Sequence, residues 1–359
     1  MRLSSAIYTT AARVLGRIFL GTPVVRTIYI RRSVAAEEAV FPLSDLDLSI
    51  IVDPCSGVAI DALRSRYALA RLAFPRLGEC HVYTADDFAD FVEVDPYRAS
   101  LDRRYAVTVY GDPPAIPIQA IPVTETGRRL VFWFEHYIQR ARTQGNRRNL
   151  HKFALEIANA LGVLEQRWHE PLTSRRETAT RFALPSDDPF EACLILTARA
   201  HSLLRPGLQT GTGSFTLPGL VVTTSALETP ARKGVKVMSP EVFDLLLHLQ
   251  DPGLWDVEVE QLQRAGFRSP TTRSRLLAAR RWASGDKLRG PGFHTMDTSQ
   301  VIARLENAAR ILEVNFPSEL STPPRHARAY YLQHYDRMCT FATNLRELAN
   351  AKLSALTPE

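Results

Sequence analysis

The 359-residue sequence has little cysteine and no long hydrophobic run. Its four cysteines, Cys55, Cys80, Cys193 and Cys339, lie far apart and form no C-x-x-C pair. This spacing argues against a zinc site and against a disulfide framework, and it favours a reducing, cytoplasmic setting. Because no stretch of about eighteen apolar residues occurs, we expect no membrane-spanning helix.

Acidic residues are missing from the first thirty-six positions, which contain six arginines. That composition is typical of an organellar transit peptide. However, apolar residues recur at helical spacing from Ile7 to Ile18 and indicate a helix over Ser4 to Leu20. We favour the helix, placed before the first strand of a catalytic domain.

Known glycine-rich phosphate loops are also absent. The segment Gly211-Thr212-Gly213-Ser214 lacks the order of a P-loop and of a dinucleotide fingerprint, so it predicts a turn. The formal net charge of +6 favours a polyanionic partner such as a nucleotide. Two basic stretches, 140–152 and 264–289, permit nucleic acid as a partner. Too few aromatic residues accompany them to indicate base stacking, so nucleic acid is not favoured.

What the sequence does contain is a pair of acids at the mouth of a buried strand. Asp45 and Asp47 precede the apolar run Ser49 to Val52. Since side chains alternate along a strand, the two carboxylates should project to one face while Leu46 and Leu48 turn into the core. Adjacent carboxylates repel unless a cation lies between them, and Mg²⁺ binds carboxylate and phosphate oxygens. The pattern predicts a divalent-metal site; solvated acids at a strand end are the alternative.

This stretch resembles the signature of the nucleotidyltransferase superfamily that includes DNA polymerase beta. That signature is a hydrophobic strand, a Gly-Ser turn, a spacer and an acid-x-acid strand. Here Arg32-Ser33 follows the first apolar run, and eleven residues separate Ser33 from Asp45. Arginine at the glycine position is a departure, because glycine permits a tight turn and close approach of the backbone to phosphates. An arginine side chain there either crowds that approach or adds a charge to it.

The resemblance implies an α+β fold, with a mixed β-sheet flanked by helices at the N-terminus and a mainly α-helical region after it. We expect a nucleotidyltransferase-like domain over 1–115 and a helical domain over 125–359. The helical domain has a candidate subdivision near 205–235. A proline-rich linker from 112 to 122 separates the two domains.

The resemblance also implies a set of site residues. Asp45 and Asp47 would be catalytic and hold Mg²⁺ or Mn²⁺, with a third carboxylate from a neighbouring strand. Glu79 is the best match for that third acid, and His81 competes for its position. The nucleotide triphosphate would be bound by Ser33, Arg32, Ser44 and Lys152, the last from the helical region beside Arg147 and Arg148.

The implied reaction moves a nucleoside monophosphate from a nucleoside triphosphate to an acceptor and releases pyrophosphate. The acceptor is a small molecule, a protein or a nucleotide. One alternative is a catalytically degenerate member of the fold that binds a nucleotide or a partner. A second alternative is a terminal nucleotidyltransferase that modifies RNA and uses the basic stretches to bind it.

Overall fold

A computed structural model describes residues 3–42, 44–94, 102, 105–112, 123–169, 172, 175–204, 214–217, 220–223, 226–230, 234–239, 272–289, 298–320 and 327–356. The fold is mixed α+β, as the sequence predicts. The chain divides into two compact units, one formed by 1–119 together with 276–359 and the other by 120–275. The sequence-based division placed 276–359 in the helical domain, and the structure instead groups these residues with the N-terminal unit.

The N-terminal part of the first unit alternates helices and strands. Its elements are α1 (Leu3–Leu20), β1 (Val25–Arg31), α2 (Arg32–Ala35), β2 (Leu46–Val52), α3 (Gly57–Ala73), β3 (Leu77–Tyr83), α4 (Ala85–Val94) and β4 (Val107–Tyr110). The predicted helix over Ser4 to Leu20 is confirmed. The apolar run Ser49 to Val52 forms a strand as predicted, within β2.

These strands form one four-stranded mixed sheet in the order β3-β2-β1-β4. Strand β1 is antiparallel to both β2 and β4, whereas β2 and β3 run parallel. A helical crossover, α3, joins the two parallel strands, which is the connection that parallel pairing requires.

Helices cover both faces of this sheet. On one face Ile28 and Val109 lie beside Gly16 of α1. On the other face Tyr29 and Tyr83 pack against Phe88 and Phe91 of α4 in a buried aromatic cluster. Because α4 covers this end of β3, Tyr83 is fully buried.

The second unit contains a helical layer and a small sheet. Its elements are α5 (Val123–Thr143), α6 (Arg147–Leu164), α7 (Arg175–Arg181), α8 (Pro189–Leu204), β5 (Ser214–Leu217), β6 (Leu220–Thr223) and β7 (Lys236–Met238). Strand β6 lies between antiparallel β5 and parallel β7. Gln139 and Arg142 of α5 donate hydrogen bonds to the main-chain carbonyls of Ala226 and Leu227. Sequence patterns missed this sheet, because its strands have only three or four residues.

The C-terminal helices are α9 (Thr272–Trp282), α10 (Gly285–Arg289), α11 (Thr298–Leu312) and α12 (Ala327–Ser354). Asp87, buried at the start of α4, accepts hydrogen bonds from Arg289 and from Arg346. These contacts explain why 276–359 belong to the first unit. Among the described residues, none of the helices is long and apolar enough to cross a membrane.

Burial also changes the interpretation of the second basic stretch. Arg280, Arg281 and Arg289 are at most 9% exposed, so their side chains serve packing within the protein. These three residues therefore do not contribute exposed positive charge for a nucleic acid partner, which the sequence permits for this stretch. Residues 240–271 and 290–297 lie outside the described part of the chain.

Candidate active site

The end of β1 and the starts of β2 and β3 meet at one edge of the sheet. Strand β1 ends beside the start of β2, where Arg31 pairs with Asp47. Strand β3 begins beside the same point, where Leu77 pairs with Leu46. Because β2 and β3 are parallel, both start at this edge, and the turn after β1 lies there too. The predicted residues Arg32, Asp47 and Glu79 are thereby brought together from three separate parts of the sequence.

Asp47 is the most enclosed acid at this edge, with 8% of its surface exposed. Its Oδ1 accepts a hydrogen bond from the main-chain N–H of Glu79, at 2.8 Å. The close approach needs a glycine at position 78, since a Cβ there would lie 2.5 Å from Asp47 Oδ1 and 2.9 Å from Asp45 Cβ. Strand β3 therefore fixes the orientation of the Asp47 carboxylate.

Arg32, the residue at the glycine position of the family signature, points into this acidic group. Its backbone has φ of +57°, in the left-handed region that favours glycine. Its Nη2 lies 2.6 Å from Glu79 Oε2, and its Nε lies 3.9 Å from Asp47 Oδ2. The guanidinium thus lies between two carboxylates that would otherwise repel each other.

Asp45 precedes β2 and is more open than Asp47, with 49% of its side chain exposed. Its Oδ1 lies 3.8 Å from Nη1 of Arg76, a half-exposed side chain. An ion pair of this length and exposure contributes little to stability. The Asp45 carboxylate therefore lies near the edge of the sheet, and another cation can readily replace its partner, Arg76.

His81, the alternative to Glu79 in the sequence pattern, lies next to it on the same face of β3. Its Nε2 is 3.3 Å from Glu79 Oε2. The imidazole stacks on the ring of Tyr83, with centroids 5.8 Å apart and planes at 7°. Glu79 therefore contacts both Arg32 and His81. The two candidates for the position of the third carboxylate, Glu79 and His81, thus lie in contact with each other.

The two serines predicted to bind nucleotide occupy different surroundings. Ser33 is partly exposed in the turn beside Arg32, and its carbonyl accepts from the N–H of Glu38. Ser44 lies in the loop before β2, where its Oγ accepts a hydrogen bond from the N–H of Val40 at 2.9 Å. Ser33 is thus placed at the edge of the site, whereas the Ser44 hydroxyl closes its own loop.

Lys152 belongs to the second unit. It lies in the second turn of α6, which starts at Arg147 rather than at Lys152 as predicted. Its Nζ is 5.7 Å from the centroid of the Phe153 ring. Arg147, at the start of the same helix, lies 3.3 Å from Asp188. Binding of the triphosphate by Lys152 remains a prediction.

Sequence patterns missed a buried ion pair behind the site. Arg31 and Asp102 lie 2.8 Å apart with side chains 3% and 5% exposed. Burial, the largest single influence, would lower the pKa of Arg31, but Asp102 acts together with Tyr83, Tyr29 and Glu79 to raise that pKa above its usual value. The partners are 71 positions apart in the chain, and no local motif connects them. The pair keeps Arg31 inside the sheet while its neighbour Arg32 faces the acids.

The chemistry of the donor set fits a divalent metal ion, because Asp45, Asp47 and Glu79 offer the hard oxygens that Mg²⁺ and Mn²⁺ bind. The arrangement fits only if Arg32 moves, since its guanidinium lies between Asp47 and Glu79. Within the described ranges, no group of three or more His, Cys, Asp or Glu side chains is arranged to hold a metal ion. The Arg32 side chain is 40% exposed, so it lies partly in solvent at this edge.

Comparisons of this chain with protein-family models, with curated proteins and with solved structures give no match in any of the three.

Proposed function

We propose that this protein is a metal-dependent nucleotidyltransferase, which moves a nucleoside monophosphate from a nucleoside triphosphate to an acceptor and releases pyrophosphate. The observation that carries the proposal is the meeting of the Arg32-Ser33 turn, Asp47 and Glu79 at one sheet edge. These are the residues to which the family signature assigns phosphate and metal binding.

In this proposal Asp45, Asp47 and Glu79 hold Mg²⁺ or Mn²⁺ at the sheet edge. The ion would supply neutralisation of the charge on the triphosphate and on the attacking acceptor oxygen. Asp47 is oriented for this task by the N–H of Glu79. Glu79, which has His81 beside it at 3.3 Å, would also take the proton of the acceptor hydroxyl.

The phosphates would lie over the turn that follows β1. Ser33, partly exposed there, can donate its hydroxyl hydrogen to a phosphate oxygen. Arg32 can offer a planar pair of N–H donors once it leaves Glu79, an arrangement that suits phosphate.

A second candidate is a nucleotide-binding protein of the same type without catalysis. The specific observation in its favour is the 2.6 Å ion pair between Arg32 and Glu79, which engages the third carboxylate with a protein cation. The two candidates make the same prediction for nucleotide binding and opposite predictions for turnover.

Product analysis with ATP and GTP labelled at the α-phosphate separates the candidates. The full-length protein is incubated with each nucleotide and Mn²⁺, and pyrophosphate release is measured beside label transfer to water or to the protein itself. We expect pyrophosphate release that is lost in Asp45→Asn and Asp47→Asn. Asp86→Asn, an exposed acid at the start of α4, is the matched control and should leave the rate unchanged. Nucleotide binding without any pyrophosphate release would favour the second candidate.

A further inference from the structure

The Arg32 side chain meets the same oxygen atoms that a divalent ion would need. Nη2 of Arg32 lies 2.6 Å from Glu79 Oε2, a distance typical of a strong charge-assisted hydrogen bond. Nε faces Asp47 Oδ2 at 3.9 Å, while Asp47 Oδ1 accepts the N–H of Glu79. The oxygen of Asp47 that is not bonded to the N–H of Glu79 is therefore the one that faces the guanidinium.

Position 32 is also unusual for a residue other than glycine. A left-handed backbone at φ of +57° is less favourable for an arginine than for a glycine. The same backbone conformation directs the side chain back over the ends of β2 and β3, where it contacts both acids. Local strain and ion pairing therefore act together at a single residue, and its removal affects both.

We infer that Arg32 is a resident cation of this site, which competes with a divalent metal ion for Asp47 and Glu79. The inference rests on the proposed function for the identity of the competing ion. The position between the two carboxylates holds one positive group at a time, because a guanidinium and a metal ion cannot share the same oxygens at bonding distance. Metal binding then requires release of Arg32, and the affinity for metal is lowered by the free energy of the Arg32 contacts.

The direct test is Mn²⁺ binding to the protein without nucleotide, followed by the electron paramagnetic resonance signal of free Mn²⁺. Arg32→Gly removes the competing cation and suits the left-handed backbone. We expect it to bind Mn²⁺ about fivefold more tightly than the wild type, the factor by which a half-exposed ion pair would compete. Arg32→Gln, which keeps the size of the side chain without its charge, should also bind more tightly, whereas Arg32→Lys should resemble the wild type.

A matched control comes from Arg76, which is 47% exposed and lies 3.8 Å from Asp45 rather than between Asp47 and Glu79. Arg76→Ala removes one positive charge from the same edge, so a gain in Mn²⁺ affinity caused only by net charge would appear there as well. The double variant Arg32→Gly with Asp47→Asn should lose the gain, which places the bound ion at Asp47. Circular dichroism of each variant shows whether the fold is retained.

Equal Mn²⁺ affinity in the wild type, Arg32→Gly and Arg32→Gln would overturn the inference, including the case in which none of them binds Mn²⁺. A gain of the same size in Arg76→Ala would also overturn it. Neither result depends on turnover, since no nucleotide is present. Conversely, tighter Mn²⁺ binding in Arg32→Gly together with no pyrophosphate release from the wild type would retain the inference and reject the proposed catalysis.

Discussion

The main-chain N–H of Glu79 donates a hydrogen bond to Asp47 Oδ1 at 2.8 Å. This contact joins the acidic strand to its parallel neighbour at the point where both begin. It depends on the missing side chain of Gly78, which lets the Asp47 carboxylate reach the backbone of β3. The orientation of the most enclosed acid of the site is thus determined by a residue that has no side chain.

Gly78→Ala should disturb this contact. The added Cβ would lie 2.5 Å from Asp47 Oδ1, so the carboxylate or the strand must shift. We expect a stability loss of about 1–3 kcal/mol, as for other overpacked positions, and weaker metal-dependent nucleotide binding. Urea unfolding and calorimetric titration measure the two effects.

Gly16→Ala is the control for this substitution. Its Cβ would lie 3.0 Å from Val109 Cγ1, on the face of the sheet opposite Asp47. It should affect stability but leave nucleotide binding unchanged. Wild-type nucleotide binding in Gly78→Ala would contradict the role of the Asp47–Glu79 contact.

Asp87 should be a main determinant of stability in the first unit. It is fully buried, and it accepts hydrogen bonds from Arg289, from Arg346 and from the N–H of Gly285. Asp87→Ala leaves two largely buried arginines without their carboxylate, which costs about 3–5 kcal/mol of stability. Urea unfolding of the full chain measures the loss.

The neighbouring Asp86 is exposed, so Asp86→Ala should change stability by no more than about 0.5 kcal/mol. A similarly small effect of Asp87→Ala would show that the C-terminal helices are held to the N-terminal sheet by other contacts.

Asp188 gives a pH-dependent prediction in the second unit. Its Oδ1 accepts hydrogen bonds from the N–H groups of Glu191 and Phe190 at the start of α8, each at 3.0 Å. The bond from Glu191 is the largest influence that lowers the pKa of Asp188 below its ordinary value; the bond from Phe190 and the charge of Arg147 act in the same direction. A lowered pKa in the folded state stabilises the protein above the unfolded pKa, and that stabilisation is lost as the pH falls through the folded pKa.

Asp188→Ala should therefore lower the Tm at pH 7, and the difference from wild type should shrink as the pH falls below about 3.9. Asp188→Asn keeps a capping oxygen without the charge, so its Tm should lie between the two. A Tm difference that is the same at pH 7 and at pH 3 would exclude the charge of Asp188 as its cause.

Part of this structure follows from local sequence patterns. Apolar runs beside polar turns indicate β1 and β2, and alternation along β2 gives the buried sides of Leu46 and Leu48. The proximity of Glu79 to Asp47 was expected only through the family resemblance. Its physical origin is the parallel pairing of β2 with β3, which no local pattern specifies.

The remaining features depend on contacts between distant residues. Asp87 and Arg289 are 202 positions apart, so the basic character of 264–289 could not show which arginines are buried partners of an acid. The Arg32 side chain could be read as crowding a phosphate or as binding one. Its actual partners, Glu79 and Asp47, depend on a left-handed backbone that is unusual for arginine.

The central claim is that Asp45 and Asp47 form a metal-dependent nucleotide site. Isothermal titration of the full-length protein with the α,β-methylene analogues of ATP and GTP, in millimolar Mn²⁺ and in chelator, tests it most directly. We predict binding of at least one analogue that requires Mn²⁺, is lost in the variant with both Asp45→Asn and Asp47→Asn, and is retained in Asp86→Asn. Binding that is equal in chelator, or that survives loss of both carboxylates, would contradict the claim, as would the absence of binding to either analogue.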